Sequence, residues 1–369
     1  MKKLGLLFIT IGLLFSSCEK EDEFKGRPDW AGRGREIITL DEPICIAQDG
    51  ETKLIAGQHH EVGTVSVKFE ETKIIVTYKA NEGIVITETH LHVAIASGLI
   101  PTNPGGNPQI GLFDYGEEGI YKTEAEYVID RIDGEDCYYI AAHAVVLMES
   151  ENGGYVDLDA FAALLPSDPV SLEIGTFPPS VTSAYFENVS ITGDPFLEGL
   201  YEGWCVEATL GISQNTEYSA NVYSSYDPDL PDGLVLHPEN LDQLNWLLNQ
   251  DFVGKDAGDD KGLYTWQDLQ VAIWELVAFF PTDISPDGIG DNFSEDRVEL
   301  LLELAADYGV DFTPDCGELI VLILAMEDVQ NIIITVPLPC FKDETAWGQG
   351  CLFTQRGSWA MYFKVCYQD

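Results

Sequence analysis

The stretch at residues 84–95, IVITETHLHVAI, decides how the N-terminal half of the chain is expected to fold. Alternate side chains of a β-strand point to opposite faces of its sheet. One alternating set is apolar or β-branched and comprises Val85, Thr87, Thr89, Leu91 and Val93. The other set includes Glu88, His90 and His92. This pattern predicts a long strand with one face toward a hydrophobic core.

The neighbouring segments show similar patterns. Residues 65–69 and 74–78 alternate and are separated by a polar turn at residues 70–73, which predicts a β-hairpin. Residues 127–132 and 137–148 predict two further strands. The N-terminal half is therefore expected to be a β-sheet structure.

Two of these strands, together with a distant segment, resemble a β-sandwich module of secreted bacterial proteins. The resemblance lies in residues 86–93 and 140–146, which carry His90, His92 and His143. In that module the histidine-containing strands continue quite directly to a closing Glu-Thr-Ala-Trp-Gly segment. Here that segment is residues 344–348, and it is followed by an alternating strand at residues 359–366. The resemblance implies that a second domain interrupts the first.

Insertion into an exposed loop is well tolerated when the two ends of the insert lie close together. We therefore predict a discontinuous β-sandwich of residues 45–148 plus 341–369, with an inserted domain at residues 149–340. Within the insert, segments predicted to be extended or helical follow one another along the chain. The extended segments are residues 185–191, 234–236, 319–326 and 332–336, and the helices are residues 238–250, 266–279 and 294–308. Strands, then clustered helices, then strands predict an α+β domain.

Two short motifs in the insert carry candidate chemistry. Residues 203–207, GWCVE, place Cys205 after Trp204, and residues 269–274, LQVAIW, place Gln270 inside an apolar helical stretch. Thr265 to Asp268 reads as a capping box that opens this helix. Trp266 and Trp274 lie four residues before and after Gln270, so we expect an indole one turn to either side of its amide. Exclusion of water suppresses hydrolysis of a reactive acyl group.

These motifs resemble the thioester domains of Gram-positive surface adhesins. That family carries an aromatic-Cys-apolar motif, with Tyr, Phe or Leu usual where Trp204 stands, and a downstream Gln-x-Ala-apolar-Trp motif. The second motif is matched at Gln270, Ala272, Ile273 and Trp274. The resemblance implies that the Cys205 thiol displaces ammonia from the Gln270 amide to form an internal thioester. The predicted fold class is α+β, a β-sandwich with an inserted α+β thioester-like domain of sandwich or barrel strands plus helices.

The resemblance implies a cell-surface adhesin that bonds covalently to amine groups of a target protein or other macromolecule. Gln270 would be the acyl donor and Cys205 the leaving group, in one turnover rather than enzymatic catalysis, and no cofactor is expected. In the alternative, Cys205 is a buried thiol and Gln270 an ordinary helix residue, and the protein binds without a covalent bond or is structural. A cysteine hydrolase with His237 as base is less favoured, because Trp204 and Val206 form an apolar setting, whereas reactive cysteines occupy electropositive ones.

The N-terminus has the pattern of an exported lipoprotein. Two lysines precede an apolar run at residues 4–15, which is too short to span a bilayer and suits a signal peptide. Phe15 to Cys18 resembles a lipobox, and residues 19–23, EKEDE, resemble the export signal of lipoproteins on the outside of the outer membrane. We predict a signal peptide at residues 1–17, a lipid anchor at Cys18 and a tether at residues 18–44. The anchor is then the expected membrane attachment, and the protein faces outward.

Charge argues against one class of partner. The chain of 369 residues has 63 acidic and 19 basic residues and a net charge of −44. Phosphate binding needs clustered lysine and arginine, so nucleic acid is not an expected partner.

Six cysteines remain after Cys18 and Cys205, namely Cys45, Cys137, Cys316, Cys340, Cys351 and Cys366. In an exported chain these are expected to form disulfides, and the spacing alone leaves the connectivity open. Cys316-Gly-Glu resembles the start of the complement thioester motif, but Leu319 stands where the acylated glutamine must be. A disulfide from Cys316 to a cysteine such as Cys340 is therefore expected.

Two metal hypotheses remain open as alternatives. His90, His92 and His143 could share a face of neighbouring strands and bind a metal, although a structural, hydrogen-bonding role is preferred. Residues 283–288 begin like a calcium loop, but Ser294 occupies the twelfth place instead of the bidentate glutamate. Residues 227–233 and 251–262 are also acid-rich. We expect solvated loops in these segments, with a structural calcium site as the alternative.

Overall fold

The computed structural model describes residues 45–47, 50–150, 153–175, 185–206, 210–278, 289, 292–354 and 357–367. The predicted signal peptide, the anchor Cys18, the tether at residues 18–44 and the calcium-like segment at residues 283–288 lie outside these ranges.

Ten strands within the described ranges form one sheet. They are β1 (Glu51–Ala56), β2 (His60–Phe69), β3 (Lys73–Ala80), β4 (Ile84–Ala94), β5 (Tyr115–Lys122), β6 (Glu124–Asp130), β7 (Cys137–Glu149), β14 (Phe341–Gly348), β15 (Cys351–Leu352) and β16 (Met361–Cys366). The main path runs β15-β16-β7-β14-β1-β2-β3-β6, and β4 pairs with both β5 and β7. All of these pairings are antiparallel. The predicted hairpin is confirmed, with Phe69 opposite Ile74 across the turn between β2 and β3.

The sheet folds over a shared hydrophobic core. Buried side chains of β2 and β3 lie in one cluster with those of β4, β7 and β14, including Val65, Val76, Ile86, Ala142 and Ala346. The long strand β4 does not keep a strict alternation. A register irregularity between Ile86 and Glu88 leaves Val85 and Ile86 both buried, since a bulge shifts the faces that side chains occupy.

Six further strands close into an antiparallel barrel. They are β8 (Val170–Ile174), β9 (Tyr185–Thr192), β10 (Gly199–Cys205), β11 (Thr216–Ser224), β12 (Leu319–Met326) and β13 (Ile332–Pro337). Their order around the barrel is β10-β13-β12-β11-β8-β9. The middle of β12, from Ile320 to Leu324, is fully buried on both faces. Burial on both faces explains why this strand reads as a continuous apolar run rather than an alternating one.

Four α-helices are described: α1 (Leu158–Leu164), α2 (Leu241–Leu248), α3 (Trp266–Val277) and α4 (Glu295–Tyr308). The predicted start of α3 is confirmed, because Thr265 and Asp268 form a reciprocal capping box. Helix α4 begins after Ser294 and ends at Tyr308, which agrees with the helix predicted at residues 294–308. A short 3-10 turn, Pro238–Asn240, leads into α2. Among the described helices, none is long and apolar enough to cross a membrane.

The predicted α+β class is wrong. The structure is mostly β, with 44% of the described residues in strands and 17% in helices, and its sheets are barrel-like. The error lies in the insert, where β8, β10 and β11 were not predicted and residues 234–236 are not a strand. Strand β10 contains glycine at positions that strand propensities disfavour. Gly203 is needed there, because a Cβ atom at this position would lie 2.8 Å from a methyl carbon of Val189.

The chain leaves the ten-stranded sheet after β7 and returns to it in β14. These two strands are hydrogen-bonded neighbours, and Ser150 N donates to the carbonyl of Cys340 at 2.9 Å. The two crossing points therefore lie side by side. The boundaries of an inserted domain at residues 149–340 stay a prediction, because strand order does not show that either part folds alone.

Three disulfides join the six cysteines, pairing Cys45 with Cys351, Cys137 with Cys366, and Cys316 with Cys340. The predicted pairing of Cys316 with Cys340 is confirmed. This bond connects the loop before β12 to the segment after β13, where the barrel meets β14. Cys205 belongs to none of these three disulfides and is fully buried.

Candidate functional site: a buried cysteine and glutamine beside an acidic cleft

Cys205 ends strand β10, where it lies opposite Ile332 of β13. Gln270 lies in the second turn of α3, which begins at a fixed residue because of the capping box. The structure brings the Gln270 side chain against the backbone of Cys205 across 65 positions of sequence. Both are completely buried.

A reciprocal pair of hydrogen bonds joins the Gln270 side chain to the backbone of Cys205. The Cys205 N–H donates to Gln270 Oε1 at 3.0 Å, and Gln270 Nε2 donates to the Cys205 carbonyl at 2.9 Å. A buried amide with both of its groups bonded is held in one orientation. The carbonyl carbon of Gln270 is thus held against the residue that carries the thiol.

Asp268 holds the first turn of α3 in place. Its carboxylate is fully buried and accepts hydrogen bonds from Thr265 N at 2.7 Å and from Ser294 N at 2.8 Å. It also accepts from Arg297 Nε at 2.7 Å, and the Arg297 guanidinium donates further to the carbonyls of Lys261 and Asn292. The starts of α3 and α4 are therefore tied to one carboxylate, two residues before Gln270.

Three aromatic rings form a row from the residue before Cys205 to the first turn of α3. The Trp204 ring centroid lies 4.4 Å from that of Tyr185, and the Tyr185 ring stacks on Trp266 at 5.7 Å. Trp274 is buried within the core, whereas Trp266 is half-buried. Tyr185 was not anticipated from the sequence. Its signal was available, because Tyr185 and Glu187 alternate on β9 just as Glu202 and Trp204 alternate on β10.

An open cleft of about 570 Å³ adjoins the buried pair. Its wall includes Trp204 and Leu269, the residues that immediately precede Cys205 and Gln270, and Trp266. Its rim carries carboxylates, among them Glu187 and Glu202. Burial, followed by the nearby Glu202 carboxylate, raises the pKa of the Tyr185 hydroxyl well above its ordinary value. The cleft was not predicted, since its lining comes from six separate segments of the chain.

His237, the base considered for a cysteine hydrolase, lies at the other end of α3. Its backbone N–H donates to the Val277 carbonyl at 3.3 Å, and its Nδ1 lies 3.1 Å from Glu239 Oε1. Val277 is seven residues beyond Gln270, which is about 10 Å along a helix axis. This placement gives no support to a Cys205–His237 pair.

Asn249 repeats the hydrogen-bond pattern of Gln270 at a site without a cysteine. Its Oδ1 accepts from Leu319 N and its Nδ2 donates to the Leu319 carbonyl, both at 2.7 Å. This pair docks the end of α2 onto β12. The fold therefore uses the same amide-to-backbone arrangement for a purely structural contact.

The three candidate metal-binding histidines do not converge. His90 and His143 face each other across β4 and β7 with their Nδ1 atoms 3.4 Å apart. His92 instead places Nδ1 3.1 Å from Asp114 Oδ2 and packs against Phe113. Burial, and then the neighbouring His90, lowers the pKa of His143 from 6.5 to about 4. In the described part of the chain, no group of three or more histidine, cysteine or acidic side chains is arranged to hold a metal ion.

Known proteins offer limited comparison. No protein-family model matches the sequence, and no curated protein matches it. Among solved structures, the chain is similar to the N-terminal domain of the Streptococcus pyogenes pilus tip adhesin Cpa. The match covers 52% of this chain and 98% of that one, at 12% sequence identity and a TM-score of 0.29. A TM-score this low does not establish a common fold.

Proposed function

We propose that this protein is a cell-surface adhesin that attaches covalently to amine groups through a thioester between Cys205 and Gln270. The observation that carries the proposal is the reciprocal hydrogen bonding between the Gln270 amide and the Cys205 backbone in a fully buried setting. The two residues come from separate motifs, and the fold places them side by side.

The geometry supports formation of the thioester. The Cys205 sulfur would attack the Gln270 side-chain carbonyl carbon, the carbon–nitrogen bond would break, and ammonia would leave with the thiol proton. Negative charge develops on Gln270 Oε1 during this attack. The Cys205 N–H already donates to that oxygen at 3.0 Å, and a preorganised donor of this kind stabilises a developing oxyanion.

The completed thioester would allow a single acyl transfer. An amine nitrogen attacks the acyl carbon, the carbon–sulfur bond breaks, and its electron pair goes to the Cys205 sulfur. The sulfur then takes the proton that the amine loses. The products are an amide that links Gln270 to the partner and a Cys205 thiol. The reaction occurs once per protein molecule, so the protein is a ligand-linking adhesin rather than an enzyme.

The remaining parts of the proposal rest on sequence patterns. Acylated Cys18 would anchor the chain to the outer membrane, with the acidic tether and the described strands on the cell exterior. The partner would be an amine-bearing surface protein or other macromolecule, and the chemistry requires no cofactor. Loss of labelling by a radioactive fatty acid in a Cys18→Ala variant would test the anchor.

A second function is a non-covalent binding or structural surface protein in which the bond never forms. The specific observation that favours it is the Asn249–Leu319 pair, which has the same hydrogen bonds and no thiol. By analogy, the Gln270 amide would only hydrogen-bond the backbone at the end of β10 and hold α3 against that strand.

Intact-mass measurement of the mature protein separates the two functions. Thioester formation lowers the mass by one ammonia beyond the hydrogens lost to three disulfides. Methylamine should restore mass as an adduct that peptide mapping places on Gln270, and Cys205→Ala should abolish both effects. Asn249 serves as the internal control and should stay unmodified. A full-length mass without the ammonia loss would exclude the covalent function and favour the non-covalent one.

A further inference from the structure

The cleft beside the buried pair has an outward-facing floor made by two paired strands. Trp204 lies directly opposite Tyr185 in the β9–β10 register. Glu187 lies two residues after Tyr185 on β9, and Glu202 lies two residues before Trp204, at a register irregularity of β10. All four side chains line the cleft together with Trp266.

This combination of groups suits one kind of ligand. A cation over an aromatic face is attracted by the quadrupole of the ring, and three rings here follow one another from Trp204 through Tyr185 to Trp266. Glu187 and Glu202 are exposed and add negative charge beside those rings. Among the described residues that line the cleft, none is basic. A third carboxylate, Asp251, lies 3.4 Å from the Lys255 ammonium group in an exposed pair.

The position of the cleft relates this ligand to the reactive pair. Trp204 and Leu269 each precede a reactive residue in the chain and form part of the cleft wall. The cleft therefore adjoins the two backbone segments that carry Cys205 and Gln270, although neither side chain lines it. A long, flexible side chain such as that of lysine could dock its charge here while its macromolecule lies against the surface beside the buried pair.

We propose that this cleft is the docking site for the primary ammonium group of the partner, in the form of a lysine side chain. The inference rests on the proposed thioester function and assigns its substrate class. The aromatic rings hold the ammonium group and its aliphatic stem, and Glu187 and Glu202 select for positive charge.

The first experiment compares two nucleophiles that differ in charge. Nα-acetyl-lysine methylamide is cationic at neutral pH, whereas hydroxylamine is largely neutral. The Glu187→Gln/Glu202→Gln variant should react with the lysine derivative roughly fivefold more slowly, the scale expected of two partly exposed charges, and with hydroxylamine at the wild-type rate. High salt should remove the difference by screening. The control is Glu173→Gln, an exposed carboxylate on β8 outside the cleft. Equal slowing of both nucleophiles, or no slowing of either, would overturn the docking role.

The second experiment does not require the thioester. In the Cys205→Ala protein, the lysine derivative should shift the indole N–H resonances of Trp204 and Trp266 in a titration followed by NMR. The shifts should weaken in the Glu187→Gln/Glu202→Gln background. If wild-type protein fails to react with hydroxylamine yet this titration succeeds, the covalent function is wrong and the ammonium site stands. Shifts with a neutral sugar but not with the lysine derivative would assign the cleft to carbohydrate and overturn the proposal.

Discussion

Replacement of Asp268 by asparagine should destabilise the protein sharply, because this carboxylate is the buried anchor of α3. Asp268 is fully buried and pairs with Arg297, whose side chain is 12% exposed. Asparagine has nearly the same size but carries no charge. Asp268→Asn therefore removes the carboxylate from the buried Arg297 guanidinium without creating a cavity.

The expected cost follows from the charge that is left behind. Removal of one partner from a buried ion pair costs about 3–5 kcal/mol, because the other charge stays buried and uncompensated. The asparagine amide can satisfy only some of the donors from Thr265 N, Ser294 N and Arg297 Nε. With a urea m-value of about 3 kcal/mol/M, the unfolding midpoint should fall by about 1 M or more.

Urea unfolding followed by tryptophan fluorescence measures this change. Asp251→Asn is the matched control, since Asp251 forms an exposed pair with Lys255 and should cost no more than about 0.5 kcal/mol. Arg297→Met combined with Asp268→Asn should cost less than the sum of the two single changes, since the two groups interact directly. An Asp268→Asn midpoint within error of the Asp251→Asn midpoint would refute the view that this carboxylate anchors α3.

Three other predictions concern stability. Gln270→Ala should lower the free energy of unfolding by about 2–4 kcal/mol, because it removes two buried hydrogen bonds to the backbone N–H and carbonyl of Cys205, and Asn249→Ala, at a less buried contact, should cost less in the same urea assay. For His143, the pKa of about 4 in the folded state lies below the ordinary 6.5, so the unfolded chain takes up the proton first as pH falls. The free energy of unfolding should therefore drop by about 3 kcal/mol between pH 6.5 and 4, and a flat difference between wild type and His143→Leu over this range would contradict the assignment. Cys316→Ser/Cys340→Ser should cost about 3 kcal/mol by loss of a loop constraint, and an unchanged midpoint under non-reducing conditions would show that the disulfide contributes little.

Local signals in the sequence predicted the elements that hold the candidate site. The capping box at Thr265 and Asp268 fixed the start of α3, and the continuous apolar run from Leu319 predicted β12. These signals are strong because each follows from one local interaction or one burial pattern. Cys205 and Gln270 were paired from their motifs, and the structure places them in contact through the backbone.

The barrel and the cleft could not be found in the same way. Strand β11 exposes Thr216, Glu217 and Ser219 in part or in full, and only from Ala220 onward does it bury an alternating set. A barrel strand needs only one apolar face. Where that face is apolar over just half of the strand, as in β11, the alternation of apolar and polar residues is too short to predict a strand. The cleft depends on the register between β9 and β10, which sets Tyr185 opposite Trp204. Register is a property of the closed barrel, and neither strand specifies it alone.

The disulfides have a mechanical consequence if the protein is pulled between its N-terminal end and a partner bonded at Gln270. Along the backbone, 225 residues separate Cys45 from Gln270, and such a length of unfolded chain would extend to roughly 800 Å. The bonds Cys45–Cys351 and Cys316–Cys340 offer a shorter route. It contains 11 residues from Cys351 to Cys340 and 46 from Cys316 to Gln270, or roughly 200 Å when fully extended. Under tension the disulfides would limit the distance between Cys45 and Gln270 to about a quarter of the length of the extended backbone between them. The load would pass through the two short cross-linked segments, and most strands would lie outside its path.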